Sequence, residues 1–182
     1  NTKVREAVEL FMKFIFRECY EETTGEVFNT IGKNQNMVRL YNAPGIMLLF
    51  SEMYILTKEE KYLDNIIRLA ENYYSIGGEK CYANGLGIER AITAFEQSER
   101  KGDKEKLLMF FKKHVDNIVS IGTAYPPHEV VYEQTIVTPA VKHIAEYALY
   151  SNNKKFYAEQ AKVHMACLER FSGHQPSYFL NE

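Results

Sequence analysis

The stretch KYLDNIIRLAENYYSIGG, Lys61–Gly78, decides the fold because the chain repeats it. KLLMFFKKHVDNIVSIG, Lys106–Gly122, aligns with it without gaps at an offset of 45 residues, and both copies contain Ser-Ile-Gly at their ends. A third copy, KFYAEQAKVHMACLERFSG, occupies Lys155–Gly173. In each copy the apolar residues recur every three or four positions, as on one face of an α-helix. Repetition at such a period is typical of an array of similar helical units.

A second type of helix lies between the copies. The segments NAPGIMLLFSEMYILT, Asn42–Thr57, and VTPAVKHIAEYALYS, Val137–Ser151, are more apolar than the copies, and their prolines, Pro44 and Pro139, are 95 residues apart. Proline is tolerated in the first turn of a helix, where its missing N–H has no partner to lose. The repeating unit is therefore a helical hairpin of roughly 45 to 50 residues. We expect the amphipathic helices to lie outside and the apolar helices inside.

The same patterns predict seven helices and no convincing strand. Thr57, with Glu60 three residues later, predicts a capping box at the start of the third helix, and Gly77 with Gly78 predicts its end. The connections into the apolar helices are long and polar, so we expect all of these long loops at one end of the array. The predicted helices are Thr2–Glu21, Tyr41–Leu56, Thr57–Ile76, Leu86–Arg100, Asp103–Gly122, Thr135–Tyr150 and Asn153–Phe171.

Composition excludes several classes of function. The 182 residues carry 22 basic and 24 acidic side chains, a balance that gives no reason to expect nucleic acid or an anionic membrane as partner. Cys19, Cys81 and Cys167 lack the spacing of a disulfide framework or a zinc site, so we expect reduced core cysteines, no metal and no cofactor. No apolar run is long enough for a membrane span. The lack of a visible signal peptide favours the cytoplasm, although the chain opens on Asn1, so we expect its natural start upstream.

The repeat resembles that of a known superfamily. In Asn42–Leu63, an apolar helix, a polar turn and a Lys-Tyr-Leu opening of the next helix follow one another. This order resembles the six-hairpin glycosidases, whose fold is an (α/α)6 toroid and whose relatives include polysaccharide lyases. The resemblance implies an all-α fold in which antiparallel helical hairpins form an arc of an α/α toroid. Because this chain holds only about three and a half hairpins, we expect residues 1–182 to be one toroid-like domain within a longer chain, completed by the rest of that chain or by a second copy.

The resemblance also implies where a substrate would bind. In such toroids the pocket lies where the long loops enter the inner helices. Amides and tyrosines on these loops suit an oligosaccharide, because they bind hydroxyl groups and sugar faces. The substrate-binding residues expected on this basis are Asn36, Arg39, Tyr41, Asn42, Tyr82, Asn84, Tyr125 and Tyr178.

The segment AYPPHEVVYEQTIVTPAV, Ala124–Val141, is the richest of these loops. Glu129 and Glu133 are four residues apart, and glycoside hydrolysis requires two carboxylates, one as acid and one as base or nucleophile. We therefore expect a glycoside hydrolase that acts on an oligosaccharide, and oligosaccharides that contain uronic acid are among the expected substrates. Glu133 is the preferred acid/base because it is nearer the inner helix. The alternative is a polysaccharide lyase in which His128 and Tyr132 serve as base and acid. If the chain has neither activity, Glu129 and Glu133 have only a structural role, in which their negative charges interact favourably with the dipole at the N-terminus of the helix.

Two further alternatives are non-catalytic. One is a toroid that has lost catalysis and only binds glycans. A non-catalytic helical-repeat scaffold would bind peptides along a concave surface, but the 34-residue period of tetratricopeptide repeats is absent. Glu89, beside Arg90, is interpreted as a buried, paired structural residue. The histidines inside helices are interpreted as structural or surface residues rather than ligands; they are His114, His143 and His164.

Overall fold

A computed structural model of the chain describes residues 2–34, 40–80, 87–123 and 138–172. Within these ranges no strand forms, and one isolated antiparallel bridge joins Tyr20 and Val27. The prediction of an all-α fold built from helical hairpins is confirmed for this part of the chain. Its α-helices are α1 Thr2–Phe14, α2 Ala43–Thr57, α3 Lys61–Ser75, α4 Ile88–Glu96, α5 Lys101–Ile121, α6 Thr138–Tyr150 and α7 Lys154–Ser172.

The first helix ends earlier than predicted. α1 stops at Phe14, and a π-helical turn, Ile15–Cys19, replaces the continuation expected to Glu21. The chain then extends at Tyr20, whose hydroxyl donates a hydrogen bond to the Asn65 carbonyl at 3.1 Å. Tyr20 is completely buried. The burial of the Tyr20 side chain against distant residues therefore ends the helix early. The spacing of apolar residues in the local sequence does not indicate this contact.

The predicted capping box at Thr57 is wrong. Thr57 is the last residue of α2, and its hydroxyl donates to the Met53 carbonyl at 2.7 Å. Lys58 then adopts a left-handed conformation with φ of 60° and ends α2. Glu60 precedes α3 without a side-chain cap. Thr57 therefore belongs to the last turn of α2, and its hydroxyl oxygen also accepts a hydrogen bond from the Glu59 N–H at 3.3 Å, before α3 begins.

The chain forms two compact units. The first, Asn1–Cys81 with Leu86–Phe110, contains α1 to α4 and the first half of α5. α2 packs on both α3 and α4, and Glu52 is its only charged residue. The face that α3 buries is apolar, as predicted for an amphipathic outer helix. This unit therefore shows the expected contrast between an apolar inner helix and an amphipathic outer one.

One arginine organises the short turns of the first unit. Arg100 donates hydrogen bonds to Asp64 at the start of α3 at 2.6 Å and to Asp103 in α5 at 2.7 Å. α4, expected to run to Arg100, ends at Glu96. Arg100 therefore lies after the end of α4, and its hydrogen bonds link the first turns of the outer helices α3 and α5.

The second unit is Tyr82–Gly85 with Phe111–Glu182, and its described part holds the rest of α5, α6 and α7. α6 and α7 pack together as a hairpin. The Tyr147 ring meets those of Phe111 and Tyr157 edge-on, at centroid distances of 5.3 and 4.9 Å. The Tyr157 hydroxyl donates to Asp116 of α5 at 2.6 Å. Aromatic contacts and one polar anchor therefore tie the hairpin to the second half of α5.

Across the described ranges, none of the helices combines the length and the apolar character that crossing a membrane requires.

Candidate functional site

The first turns of α2 and α4 lie side by side in the first unit. Gly87, just before α4, is so close to α2 that a β-carbon there would lie 2.5 Å from both the Pro44 carbonyl oxygen and the Leu48 nitrogen. The first turns of these two apolar helices therefore lie at the same end of the first unit. This end of the first unit is the candidate site.

Asn42 is the one predicted site residue whose side chain is described. Its amide nitrogen donates to the Asn29 side-chain oxygen at 2.9 Å. The bond holds the segment after the Tyr20–Val27 bridge beside the first turn of α2. Tyr41 lies in the short helical turn Leu40–Asn42, but its side chain lies outside the described part. The other predicted site residues also lie outside the described residues; they are Asn36, Arg39, Tyr82, Asn84, Tyr125, His128, Glu129, Tyr132, Glu133 and Tyr178.

A cluster of two tyrosines and two glutamates lies at the same end and was not predicted as a unit. We call Tyr73, Tyr74, Glu79 and Glu89 the tyrosine–glutamate cluster; it joins the last turn of α3 to the first turn of α4. The two rings meet edge-on with centroids 4.9 Å apart. Tyr74 also stacks on Phe110 of α5 at 4.9 Å. Both tyrosines are buried, at 2% and 3% exposure.

The turn after α3 is shaped to cover Tyr73. Gly77 has a φ of 91°, which an L side chain rarely adopts. A β-carbon on Gly78 would lie 2.3 Å from the Tyr73 ring and 2.6 Å from its carbonyl oxygen. The Gly-Gly pair therefore lets the backbone lie flat on the aromatic ring, and this course delivers Glu79 to the cluster.

The electrostatics of the cluster keep the phenol of Tyr74 protonated. Burial raises the pKa of Tyr74 well above its ordinary value, and Tyr73, Glu79 and Glu89 raise it further by charge repulsion. One carboxylate oxygen of each glutamate is also buried. A neutral phenol can donate a hydrogen bond to a carboxylate, whereas a phenolate cannot. Because both rings are buried, they pack beneath the turn at Gly77 and Gly78 and do not themselves face a substrate.

The cluster refines the interpretation of Glu89. Glu89 is half-buried and electrostatically coupled to Tyr74, as a structural glutamate would be. Its neighbour Arg90 points to α2, where it binds both oxygens of Glu52 at 2.5 and 3.0 Å. The sequence signal for the cluster was the Tyr-Tyr pair before Gly77, with Glu79 directly after the turn.

The histidines of the second unit are buried. His114, His143 and His164 are each completely inaccessible, so the surface alternative is wrong and the structural one holds. The rings of His114 and His143 have centroids 6.1 Å apart. Burial, and secondarily the charge of His143, lowers the pKa of His114 to about 3, and burial also lowers the pKa of His164. His114 is therefore neutral at physiological pH.

Of the two described cysteines, Cys167 is buried, as predicted for a core cysteine, whereas Cys19 is half-buried; both are free thiols. Cys81 lies outside the described residues.

A solved structure of a polysaccharide lyase is similar to this chain. The two have a TM-score of 0.74 and 27% sequence identity over 91% of this chain and 24% of the lyase chain. This chain thus corresponds to about a quarter of the length of the lyase. No family profile and no curated protein matches the chain. The likeness agrees with the helical-hairpin class that the repeats predict, and it gives no support to the more specific expectation of a glycoside hydrolase.

Proposed function

We propose that this chain is part of a carbohydrate-active enzyme and contributes helical hairpins to a polysaccharide lyase. The observation that supports this most strongly is the likeness to the lyase structure, which extends over 91% of the chain at 27% identity. Of the activities inferred from the sequence, the lyase reaction agrees with that likeness better than hydrolysis does. Because the likeness covers only 24% of the lyase chain, other parts of a longer polypeptide would complete the catalytic domain.

The proposed reaction is elimination across a glycosidic bond beside a uronic acid carboxylate. A base removes the proton from the carbon next to the carboxylate, and the electrons of that C–H bond form a carbon–carbon double bond. The bond to the glycosidic oxygen breaks, and an acid protonates that oxygen. We assign the base to His128 and the acid to Tyr132, both on the loop richest in proton-transfer groups. Arg39 would bind the substrate carboxylate, since a guanidinium matches it with two parallel hydrogen bonds.

Asn42 is the described residue that supports the proposed substrate-binding end of the first unit. It lies at the start of α2, and its side chain is held by the hydrogen bond to Asn29. In the proposal, Arg39 and Asn42, which precede α2, contribute to substrate binding.

The experiment uses the protein that contains this chain, with a panel of acidic polysaccharides as substrates. A lyase product carries a conjugated double bond, so ultraviolet absorbance rises as chains are cleaved. His128→Ala and Tyr132→Phe should each lower the rate roughly 10²- to 10⁴-fold, as expected for loss of a general base or acid. Glu159→Gln, on an exposed part of α7, is the control and should leave the rate unchanged.

Two results would contradict the proposal. Cleavage that releases reducing ends without the absorbance would identify a hydrolase, and Glu129→Gln and Glu133→Gln would then be the informative variants. Full elimination activity in both His128→Ala and Tyr132→Phe would remove these residues from the reaction while leaving the lyase assignment in place.

A further inference from the structure

The asparagine before α2 does not stabilise that helix in the usual way. Asparagine is favoured just before a helix because its side-chain oxygen accepts a hydrogen bond from an N–H of the first turn. Asn42 makes no such bond. Its backbone already has helical angles, with φ of −89° and ψ of −18°, and Pro44 lacks one of the N–H groups that a cap would use. Asparagine is also a poor helix former. Helix stability therefore gives no reason for asparagine at this position.

The Asn42 side chain bonds instead to a residue that is distant in sequence. Its amide nitrogen donates to Oδ1 of Asn29 at 2.9 Å. The side chain makes no other hydrogen bond to the described residues, and Asn42 is only half-buried. Its carbonyl oxygen is therefore held in a fixed direction and is able to accept a hydrogen bond from a ligand.

Asn29 lies on a firmly held piece of backbone. The two residues before it, Val27 and Phe28, are 3% and 4% exposed. Val27 forms the antiparallel bridge with Tyr20, and the Phe28 N–H donates to the Cys19 carbonyl at 2.8 Å. Asn29 itself is exposed, so its side chain does not belong to the core. A fixed backbone that carries an exposed amide is well suited to hold another polar side chain in place.

Both asparagines border a mainly apolar cavity of about 620 Å³. Thr30 borders the same cavity, and its hydroxyl oxygen is buried without a partner among the described residues. Ligand sites combine an apolar lining with a few polar groups that fix the orientation of the ligand. A sugar has the matching chemistry, because hydroxyl groups surround a ring with apolar faces. Phe11, a half-exposed aromatic residue in the lining, can pack on such a face.

We propose that Asn29 is a positioning residue for sugar binding: it holds Asn42 so that the Asn42 carbonyl oxygen accepts a hydrogen bond from a sugar hydroxyl group. The inference rests on the proposed function for the class of ligand, an acidic polysaccharide. It adds Asn29, which was not among the residues predicted from the sequence, to those that influence substrate binding. The hydroxyl group that Asn42 binds does not react, so Asn29 acts on binding and not on the elimination step.

The test uses the protein that contains this chain and measures KM and kcat for elimination and the Kd for the same saccharides. Asn29→Ala should raise KM and Kd roughly 2- to 10-fold, as expected for loss of one hydrogen bond between uncharged groups. It should leave kcat unchanged, because the lost contact is the same in the ground state and the transition state. Asn152→Ala, at an exposed asparagine in the turn before α7, is the matched control and should change none of these constants.

Two further variants separate positioning from a merely structural role. Asn29→Asp keeps an oxygen that accepts from the Asn42 amide, so at high salt, where its charge is screened, its KM should equal that of the parent at the same salt. Asn29→Ala should cause no further change in an Asn42→Ala background, because the two residues act as one unit. Additive effects of the two alanine substitutions would overturn the inference, as would a raised KM that Asn29→Asp does not restore.

The outcomes also distinguish this inference from the lyase proposal. If the parent binds saccharides and Asn29→Ala binds them with the same Kd, the inference alone is overturned. Saccharide binding without elimination would overturn the lyase proposal alone, and the Kd values would still decide the role of Asn29. A parent protein that binds no acidic saccharide would overturn both.

Discussion

Acid should destabilise the second unit through His114. The folded chain holds the pKa of this buried imidazole at about 3, against an ordinary value of 6.5. Between these values the unfolded chain binds a proton that the folded chain does not, so the stability from His114 is complete above pH 6.5 and is lost as the pH falls toward 3. At pH 5 the loss from this one side chain amounts to roughly 2 kcal/mol relative to neutral pH.

The assay is urea unfolding followed by circular dichroism at pH 7 and at pH 5. Carboxylates also contribute to acid sensitivity, so the comparison is between variants. His114→Gln removes the titrating group, and the difference in unfolding free energy between the two pH values should shrink by about 2 kcal/mol. Val115→Ala, beside it in the same helix and also fully buried, should lower stability equally at both pH values. An unchanged pH difference in His114→Gln would refute the reasoning.

Two further substitutions test contacts in the first unit. Gly78→Ala should destabilise the chain by about 1 to 3 kcal/mol, because the added methyl group overlaps the Tyr73 ring. Thermal unfolding measures this loss, with Gly102→Ala as the control because a β-carbon at Gly102 would meet nothing within 4 Å. Equal unfolding midpoints for the two variants would contradict the close contact. Tyr20→Phe should cost about 1 kcal/mol through loss of the buried hydrogen bond to the Asn65 carbonyl. Urea unfolding at neutral pH measures that cost, and a variant as stable as the parent would show that the hydroxyl contributes nothing.

Most of the helices could be predicted from local features of the sequence. The repeat located the helices because each copy must bury one apolar face. The glycines that end α3 and α5 were also readable, since Gly77 and Gly122 have positive φ angles of 91° and 67°. The end of α1 could not be predicted from the local sequence, because it depends on the burial of Tyr20 against residues that are distant along the chain. The capping box at Thr57 failed because Thr57 belongs to the last turn of α2 and α3 begins only after Glu60, so the two residues do not occupy the positions that a capping box requires.

The candidate site was less predictable than the helices. The position of the first turns of α2 and α4 at one end agrees with the alternation of short and long connections in the sequence. The tyrosine–glutamate cluster did not, because Tyr73 and Tyr74 fit the apolar period of α3 and look like ordinary core residues. Only the tertiary contact between the end of α3 and the start of α4 brings Glu79 and Glu89 to them. The assignments to Ala124–Val141 stay predictions, since this loop lies almost wholly outside the described residues.

The π-helical turn after α1 has an evolutionary consequence. The Tyr20 N–H donates to the Ile15 carbonyl, five residues back, so this turn holds one residue more than an α-helical turn would. Removing a residue from Phe16–Cys19 would restore ordinary helix but rotate the downstream side chains out of phase with Met12 and Ile15. Tyr20 would then no longer reach Asn65. We therefore expect homologues that lack this insertion to carry a small residue in place of Tyr20, and a single-residue gap at this point in an alignment should mark the two lineages.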